Sequence, residues 1–449
     1  MKDTKFILFG FLTAMLLFGF ALSPTLEAKS ETQETHKKST QTSRLEALAK
    51  FTKVIAIVEK YNVDELSIEE IMDKALQGLM SNLDAHSSYL NAKSFKNLKV
   101  QTDGEFGGLG ITVGMRDGAL TVISPIEGTP ADKAGLKAGD IILRIDGKST
   151  LGMSIDDAVS IMRGKKGTPI DLTIVRKGES EPLEIHIVRD IIKIQSVYSK
   201  QIDDNILYLR ITSFDKKVVE NVTKEIKKHM RHDKGIVIDL RNNPGGLLDQ
   251  AVGLVDLFVD SGVIVSQKGR DKHEDRSYEA SVAKTITDAP LVVLVNEGSA
   301  SASEIVSGAL QDHKRAVIVG QKTFGKGSVQ VILPITEEEA IKLTIARYYL
   351  PSGRTIQAEG VTPDINVTDG EIKTYENKFR LKEADLKKHL EKELEKIDDN
   401  TTKEHTLADE FDLEDNKTVI TEKMLYKDLQ LKEAVGIIKA LIIYKGSQN

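Results

Sequence analysis

The chain has 449 residues, too many for one ordinary domain, so two or three domains are expected. Hydrophobic residues make up 40% and charged residues 29%; the formal net charge is −6 with no Lys/Arg-rich run, so nucleic acid is not suggested as a partner. There is no cysteine, which excludes disulfide scaffolds, thiolate nucleophiles and Cys-type zinc sites and leaves the redox compartment open.

Lys2 and Lys5 precede an apolar run from Phe6 to Leu22, and Glu27-Ala28-Lys29 restores polarity. Residues 1–28 therefore read as a secretory signal. The run is long for a cleaved signal and just short of a comfortable span, so cleavage near Ala28 and retention as a membrane anchor both stay open. Either implies export, to the periplasm or the extracytoplasmic face of the cell membrane. Residues 29–42, polar and rich in Thr, Gln and Lys, suit a disordered leader.

Over 43–94 the pattern is helical. Leu45, Leu48, Phe51, Val54, Ile55 and Val58 recur at threes and fours, and a second helix runs through Ile68, Ile71, Met72, Ala75, Leu76 and Leu79. Residues 95–190 change to short strands with glycine punctuation, such as Ile141 to Ile145. Residues 191–368 alternate strands with helices: strands at 235–241, 291–295 and 316–319, helices at 247–259 and 302–311. That alternation predicts a parallel sheet with right-handed crossovers, an α/β core. Residues 369–449 are charged, with a Lys/Glu-rich helix around 376–397, and end in an amphipathic helix over 429–444. Its apolar stripe suits a docked face or a dimer seam.

In a parallel sheet every strand's C-terminal end lies along one edge, where sites form. Three loops are expected there: Asn242-Asn-Pro-Gly-Gly246, Asn296 to Glu304, and Gln321 to Gln330. Ser-Ala-Ser-Ala-Ser (299–303) sits where a helix begins, whose first free N–H groups can bind an oxyanion. Taken singly, these glycines and serines would merely turn the chain and cap a helix. His313 follows the helix about 18 Å from Ser301, too far to deprotonate it. Lys326 returns to the same edge; burial between Phe324, Gly325 and Gly327 would keep its amine neutral, and Gln330 could hold it in line. Gly320 to Gly327 nearly matches a phosphate loop. It has Gly327 where a hydroxyl is required, and a strand is expected next where a helix should follow.

These residues resemble the C-terminal processing proteases, or tail-specific proteases, over about residues 45–364. Asp239-Leu-Arg-Asn-Asn-Pro-Gly-Gly246, the 296–304 run and Thr323-Phe-Gly-Lys-Gly-Ser-Val-Gln330 are similar to that family's three active-site motifs, in family order. The resemblance implies Ser301 as nucleophile, 25 residues before Lys326 as general base, with Gln330 as the lysine's partner. It implies oxyanion donors at Gly245, Gly246 and Ala302. Asp312 matches a position important in some members, although its place at the helix end reads as structural. Gly78 to Tyr89 is similar to the N-terminal signature, with Ala85 where proline is usual. Residues 106–147 resemble a PDZ domain, in which Leu109, Gly110 and Ile111 would line a carboxylate nest.

The implied fold is a crotonase-like ββα protease core with an inserted, mainly β PDZ domain and terminal helices. The implied function is an exported serine endopeptidase acting without a cofactor on proteins or peptides with free C-termini. Membrane anchoring by 6–22 and a homodimer through the apolar helices are further expectations. A catalytically silent PDZ scaffold and a crotonase-like acyl-CoA enzyme are the alternatives. Arg144 and Arg163 could link the PDZ module to the core through charge pairs, or simply be solvated.

Overall fold

A computed structural model describes residues 25–116, 118–229, 235–270, 272–372 and 419–447. The apolar run 6–22 and the helix expected around 376–397 lie outside them. Residues up to Asn82 and residues from Leu83 onward form two compact units.

The first unit contains helix α1 (Thr25–Tyr61) and helix α2 (Ile68–Ser81). Helix α1 takes in residues 29–42, so the expected disordered leader is helical instead. No glycine or proline interrupts the sequence from Thr25 to Tyr61, and the hydrogen-bond ladder can propagate through its polar stretch. A reciprocal cap starts α2: Glu70 N–H donates to Ser67 Oγ, and Ser67 N–H donates back to Glu70 Oε2. Leu45, Leu48, Phe51 and Val54 on α1 are exposed.

The second unit opens with strand β1 (Ser88–Leu90), where helix had been expected to continue; it pairs with residues 340–342. Helix α3 (Ala92–Asp103) follows, ended by Gly104 in the left-handed conformation. Strand β2 (Glu105–Gly108) leads into a module of β3 (Ile111–Arg116), β4 (Ala119–Pro125), short helix α4 (Pro130–Lys133), β5 (Ile141–Ile145), β6 (Lys148–Ser149), α5 (Ile155–Met162), β7 (Pro169–Val175) and β8 (Leu183–Val188). The module's antiparallel sheet has the order β3-β4-β5-β7-β8, with β6 on β5. Val122, Ile142, Ile145, Leu172 and Ile174 are fully buried inside it. Strand β9 (Asp190–Lys193) returns antiparallel to β2 and ties the module's two ends together.

The core comprises β10 (Val197–Ile202), β11 (Ile206–Ile211), α6 (Val218–His229), β12 (Gly235–Asp239), α7 (Leu248–Asp256), β13 (Ser261–Gly269), β14 (Arg276–Ser281), β15 (Leu291–Val295), α8 (Ala302–Asp312), β16 (Val317–Gly320), β17 (Ser328–Pro334), β18 (Ala340–Tyr349) and β19 (Ile365–Asn366). The expected parallel sheet is present. Its order is β10-β11-β12-β15-β16-β19, with only β10 antiparallel to its neighbour. Both faces of β15 are buried, so its residues read as one apolar run. Leu291, Val293 and Val295 meet α6, α7 and α8, whereas Val292 and Leu294 face the other side.

That other side is covered by α10 (Leu429–Gly446), preceded by short α9 (Glu422–Tyr426). Leu431, Ala434, Val435 and Ile438 pack against Val237, Val292 and Leu294, so the last helix is a docked layer of the core. A second, antiparallel sheet runs β1-β18-β13-β14, with β17 added on β18. The strand at β17, directly after Gly327, removes the phosphate-loop reading.

Candidate active site

The three loops do meet at one edge, joined by named hydrogen bonds. Asn296 Oδ1 accepts from Asn242 N at 2.8 Å, and Asn296 Nδ2 donates to Asn242 Oδ1 at 3.0 Å. Ser299 Oγ donates to Leu240 O at 2.8 Å, Ala300 N to Asn243 O at 3.0 Å and Ser303 Oγ to Asn243 O at 2.9 Å. Phe324 N donates to Ser299 O, which attaches the third loop. Helix α8 can lie this close to its neighbours because it is built from small residues. A Cβ on Gly308 would come within 2.5 Å of Leu350 Cδ1.

The serines in this run divide by partner. Ser299 and Ser303 are fully buried and their hydroxyls are used in joining the loops. Ser301 is partly exposed, and its hydroxyl, at the cap of α8, donates to no acceptor among the described residues. Its backbone, at φ 54° and ψ −110°, lies where a non-glycine residue costs about 1–3 kcal/mol. That conformation projects Ser301 from the turn at the start of α8.

Glu304 holds the arrangement, a role the sequence reading missed. It is fully buried. Its Oε1 accepts from Thr323 Oγ1 and Gly325 N, each at 2.6 Å; its Oε2 accepts from Ser301 N and Lys326 N, each at 2.8 Å. One oxygen therefore holds the backbones of Ser301 and Lys326 within twice that distance of each other. The Ser301-x-x-Glu304 spacing was legible as a capping box, but its distant partners were not.

Lys326 is half-buried. Burial, then the nearby Lys342, lower its pKa below the ordinary lysine value, against the pull of Glu304. Gly327 lets the chain pass Gln357, where a Cβ would be 2.5 Å from Gln357 N. Phe324, expected to help bury the lysine, is instead 64% exposed. No hydrogen bond joins Lys326 Nζ to Ser301 Oγ or to Gln330 among the described residues; Gln330 Nε2 donates to Ser328 Oγ and Thr344 Oγ1. His86, from the N-terminal signature, also lies near Lys326. Burial and the charges of Lys326 and Lys342 lower its pKa, while Asp84 opposes them.

The expected oxyanion donors separate. Gly245 N already donates to Asn243 Oδ1 at 2.9 Å, so this amide is not free, a correction to its expected role. Gly245 is required sterically: at φ 101°, a Cβ would lie 2.9 Å from Ser301 Cβ and 3.0 Å from Ala302 N. The amides of Gly246 and Ala302 donate to no acceptor recorded among the described residues.

Arg241 anchors the first loop, bonding Asp239 and also Asp428 at the start of α10. Asp312 sits at the far end of α8, bonded to Ser352 N and Arg354, and His313 Nε2 donates to Val263 O; both are structural contacts.

In the β3–β8 module, Leu109 O and Gly110 O accept from Ala131 N and Ile126 N, while the Leu109 and Gly110 amides donate to no acceptor among the described residues. Ile111 begins β3, opposite Pro125. Arg163 donates to Asn97 Oδ1 and lies 4.9 Å from the centre of the Phe106 ring, and Arg144 is exposed.

Residues 205–367 match peptidase family S41, and residues 121–176 match a PDZ domain. The parallel-sheet core and its β-rich module thus define a serine peptidase carrying a PDZ domain. A carboxy-terminal-processing protease of Bartonella bacilliformis is 45% identical over 349 residues, covering 76% of this chain and 80% of that protein. The carboxy-terminal processing protease CtpA of Bacillus subtilis is 35% identical over 322 residues, covering 71% and 69% respectively. A solved photosystem II D1 C-terminal processing protease is 28% identical, with a TM-score of 0.42, and covers 71% of this chain and 86% of that one. The chain belongs to the carboxy-terminal processing proteases of peptidase family S41.

Proposed function

We propose that the protein is an exported endopeptidase that takes protein C-terminal tails on its PDZ domain and cleaves through a Ser301–Lys326 acyl-enzyme. The observation that carries this reading is the Glu304 clamp. It holds Ser301, whose hydroxyl proton is donated to no acceptor among the described residues, and Lys326 around one oxygen, beside the available amides of Gly246 and Ala302.

In this scheme neutral Lys326 takes the proton from Ser301 Oγ as the oxygen attacks the scissile carbonyl. Gly246 and Ala302 amides bind the oxyanion, and Gln330 orients the lysine amine. The lysine returns its proton to the leaving amine, then activates the water that hydrolyses the ester. Because the serine and lysine side chains are not bonded at rest, a bound tail must favour the arrangement that joins them. A crotonase-like ββα description of the core fits this oxyanion-at-helix design.

The PDZ part of the proposal rests on Leu109, Gly110 and Ile111. Amidating a substrate's C-terminus should weaken its binding roughly tenfold or more, because charge-assisted hydrogen bonds are lost. Gly110→Val should impair capture of long substrates as well: φ is +81°, and a Cβ would meet Thr129 Cβ at 2.3 Å. Identical cleavage rates for free-acid and amidated forms would refute tail recognition.

Export, with residues 6–22 cleaved or retained as an anchor, and pairing through the exposed apolar residues of α1 complete the proposal. Cell fractionation followed by sedimentation of the recovered full chain tests both. Protein confined to the cytoplasm would contradict export, and a monomer at all concentrations would contradict pairing.

A further inference from the structure

The N-terminal signature has no part in the scheme above, yet it reaches the site. Asp84 closes the turn before β1. Its Oδ1 accepts from His86 N at 2.7 Å and Ser87 N at 2.9 Å, and its Oδ2 accepts from Ser87 Oγ at 2.6 Å. The turn is attached to β18 in two places: Thr344 N donates to Ser87 Oγ at 3.1 Å, and Thr344 Oγ1 donates to Asp84 Oδ1 at 3.2 Å. Thr344 is in turn the cross-strand partner of Gln330. The register shifts between Val329 and Gln330, an irregularity that brings the two residues opposite each other.

The direction of each proton follows from chemistry. Burial pushes the Asp84 pKa up, but hydrogen bonds from the Ser87 hydroxyl, the His86 and Ser87 amides and Thr344 outweigh it and hold it at about 2. An ionised carboxylate only accepts, so the single Thr344 hydroxyl proton goes to Asp84. What Thr344 then offers Gln330 is a lone pair. Only the NH₂ end of the Gln330 amide can meet it, and Nε2 does so at 3.3 Å while donating also to Ser328 Oγ at 2.8 Å. Both amide hydrogens are thereby engaged, and the Oε1 end is left to accept.

We infer that Asp84 and Thr344 are positioning residues of the peptidase site: the chain Asp84–Thr344–Gln330 orients the Gln330 amide so that its carbonyl oxygen is held for the Lys326 amine. The inference rests on the catalytic reading of Ser301, Lys326 and Gln330. It gives the N-terminal signature a function in setting the orientation of an amide whose two ends are otherwise nearly the same shape.

Thr344→Val keeps the shape and removes the hydroxyl; Thr344→Ser keeps the hydroxyl. In the full-length protein, Thr344→Val is expected to lower kcat by roughly tenfold to a hundredfold with KM nearly unchanged, and Thr344→Ser to retain most turnover. Asp84→Ala, which removes the acceptor of the Thr344 hydroxyl proton, should lower kcat in the same way. Thr344→Val added to Gln330→Ala should cost nothing further, a non-additivity that a merely structural contact would not produce. If Ser301→Ala and Lys326→Ala are inactive while Thr344→Val keeps full kcat, or if its effect adds to that of Gln330→Ala, this inference is overturned and the catalytic reading stands. Turnover surviving Ser301→Ala would overturn the catalytic reading, and this inference with it.

Discussion

Ser301→Ala and Lys326→Ala are each expected to cut turnover of an unfolded protein substrate by roughly 10⁴- to 10⁶-fold while leaving the unfolding midpoint in place. The two side chains act in one step, so the double variant should be little worse than either single variant. Lys326→Arg should fail equally, since a guanidinium does not give up its proton near neutral pH. The pH profile gives an independent check. The base must be neutral, so kcat/KM should rise with pH as the Lys326 amine loses its proton. Burial and Lys342 place that rise below the range of an ordinary lysine, while Glu304 pulls the other way. His86 faces the same group, and its protonation at low pH would add a further repelling charge. Full activity in Lys326→Ala, or a rate falling steadily between about pH 6 and pH 9, would remove the lysine from its assigned role.

Glu304→Gln should be nearly as damaging, with a different signature. The carboxylate accepts four hydrogen bonds on two oxygens. A glutamine presents its NH₂ group to one pair of those donors, leaving N–H against N–H in a buried site. Each buried donor left without a partner costs about 1–3 kcal/mol. The expected result is both a lower unfolding midpoint and a loss of kcat on the order of 100-fold, because the Ser301 and Lys326 backbones are no longer held together. Glu304→Ala should be worse on both measures. Thermal unfolding and steady-state kinetics on the same preparations decide the matter: wild-type values of both would show that the clamp positions nothing.

The α/β core was legible because its signal is local. Leu291-Val-Val-Leu-Val295 is apolar at every position, as a strand covered on both faces must be, and the alternation of such runs with helices calls for a parallel sheet. Once the strands are parallel, the 240s, 290s and 320s loops must share an edge, so their meeting was also deducible. The helical state of residues 29–42 was missed because polarity was taken as disorder. The absence of glycine and proline there was the better guide to backbone state.

Side-chain commitments were not legible, because a hydroxyl or amide acquires its partner only when distant segments meet. Ser299, Ser301 and Ser303 are alike in sequence, and family spacing was needed to choose among them. Their difference is tertiary: the Leu240 and Asn243 carbonyls engage the outer two hydroxyls. Gly245 looked like an oxyanion donor until Asn243 was found to occupy its amide. Asp84, far from Gln330 along the chain, reaches it through Thr344 on a strand between the two in space. Periodicity and motif order determined from the sequence alone that this chain builds a parallel-sheet core with its functional loops on one edge. Which atoms on that edge are free to react, and which are already bonded, was decided only by the folded structure, since hydrogen bonding depends on distances between residues that the order of the chain does not specify.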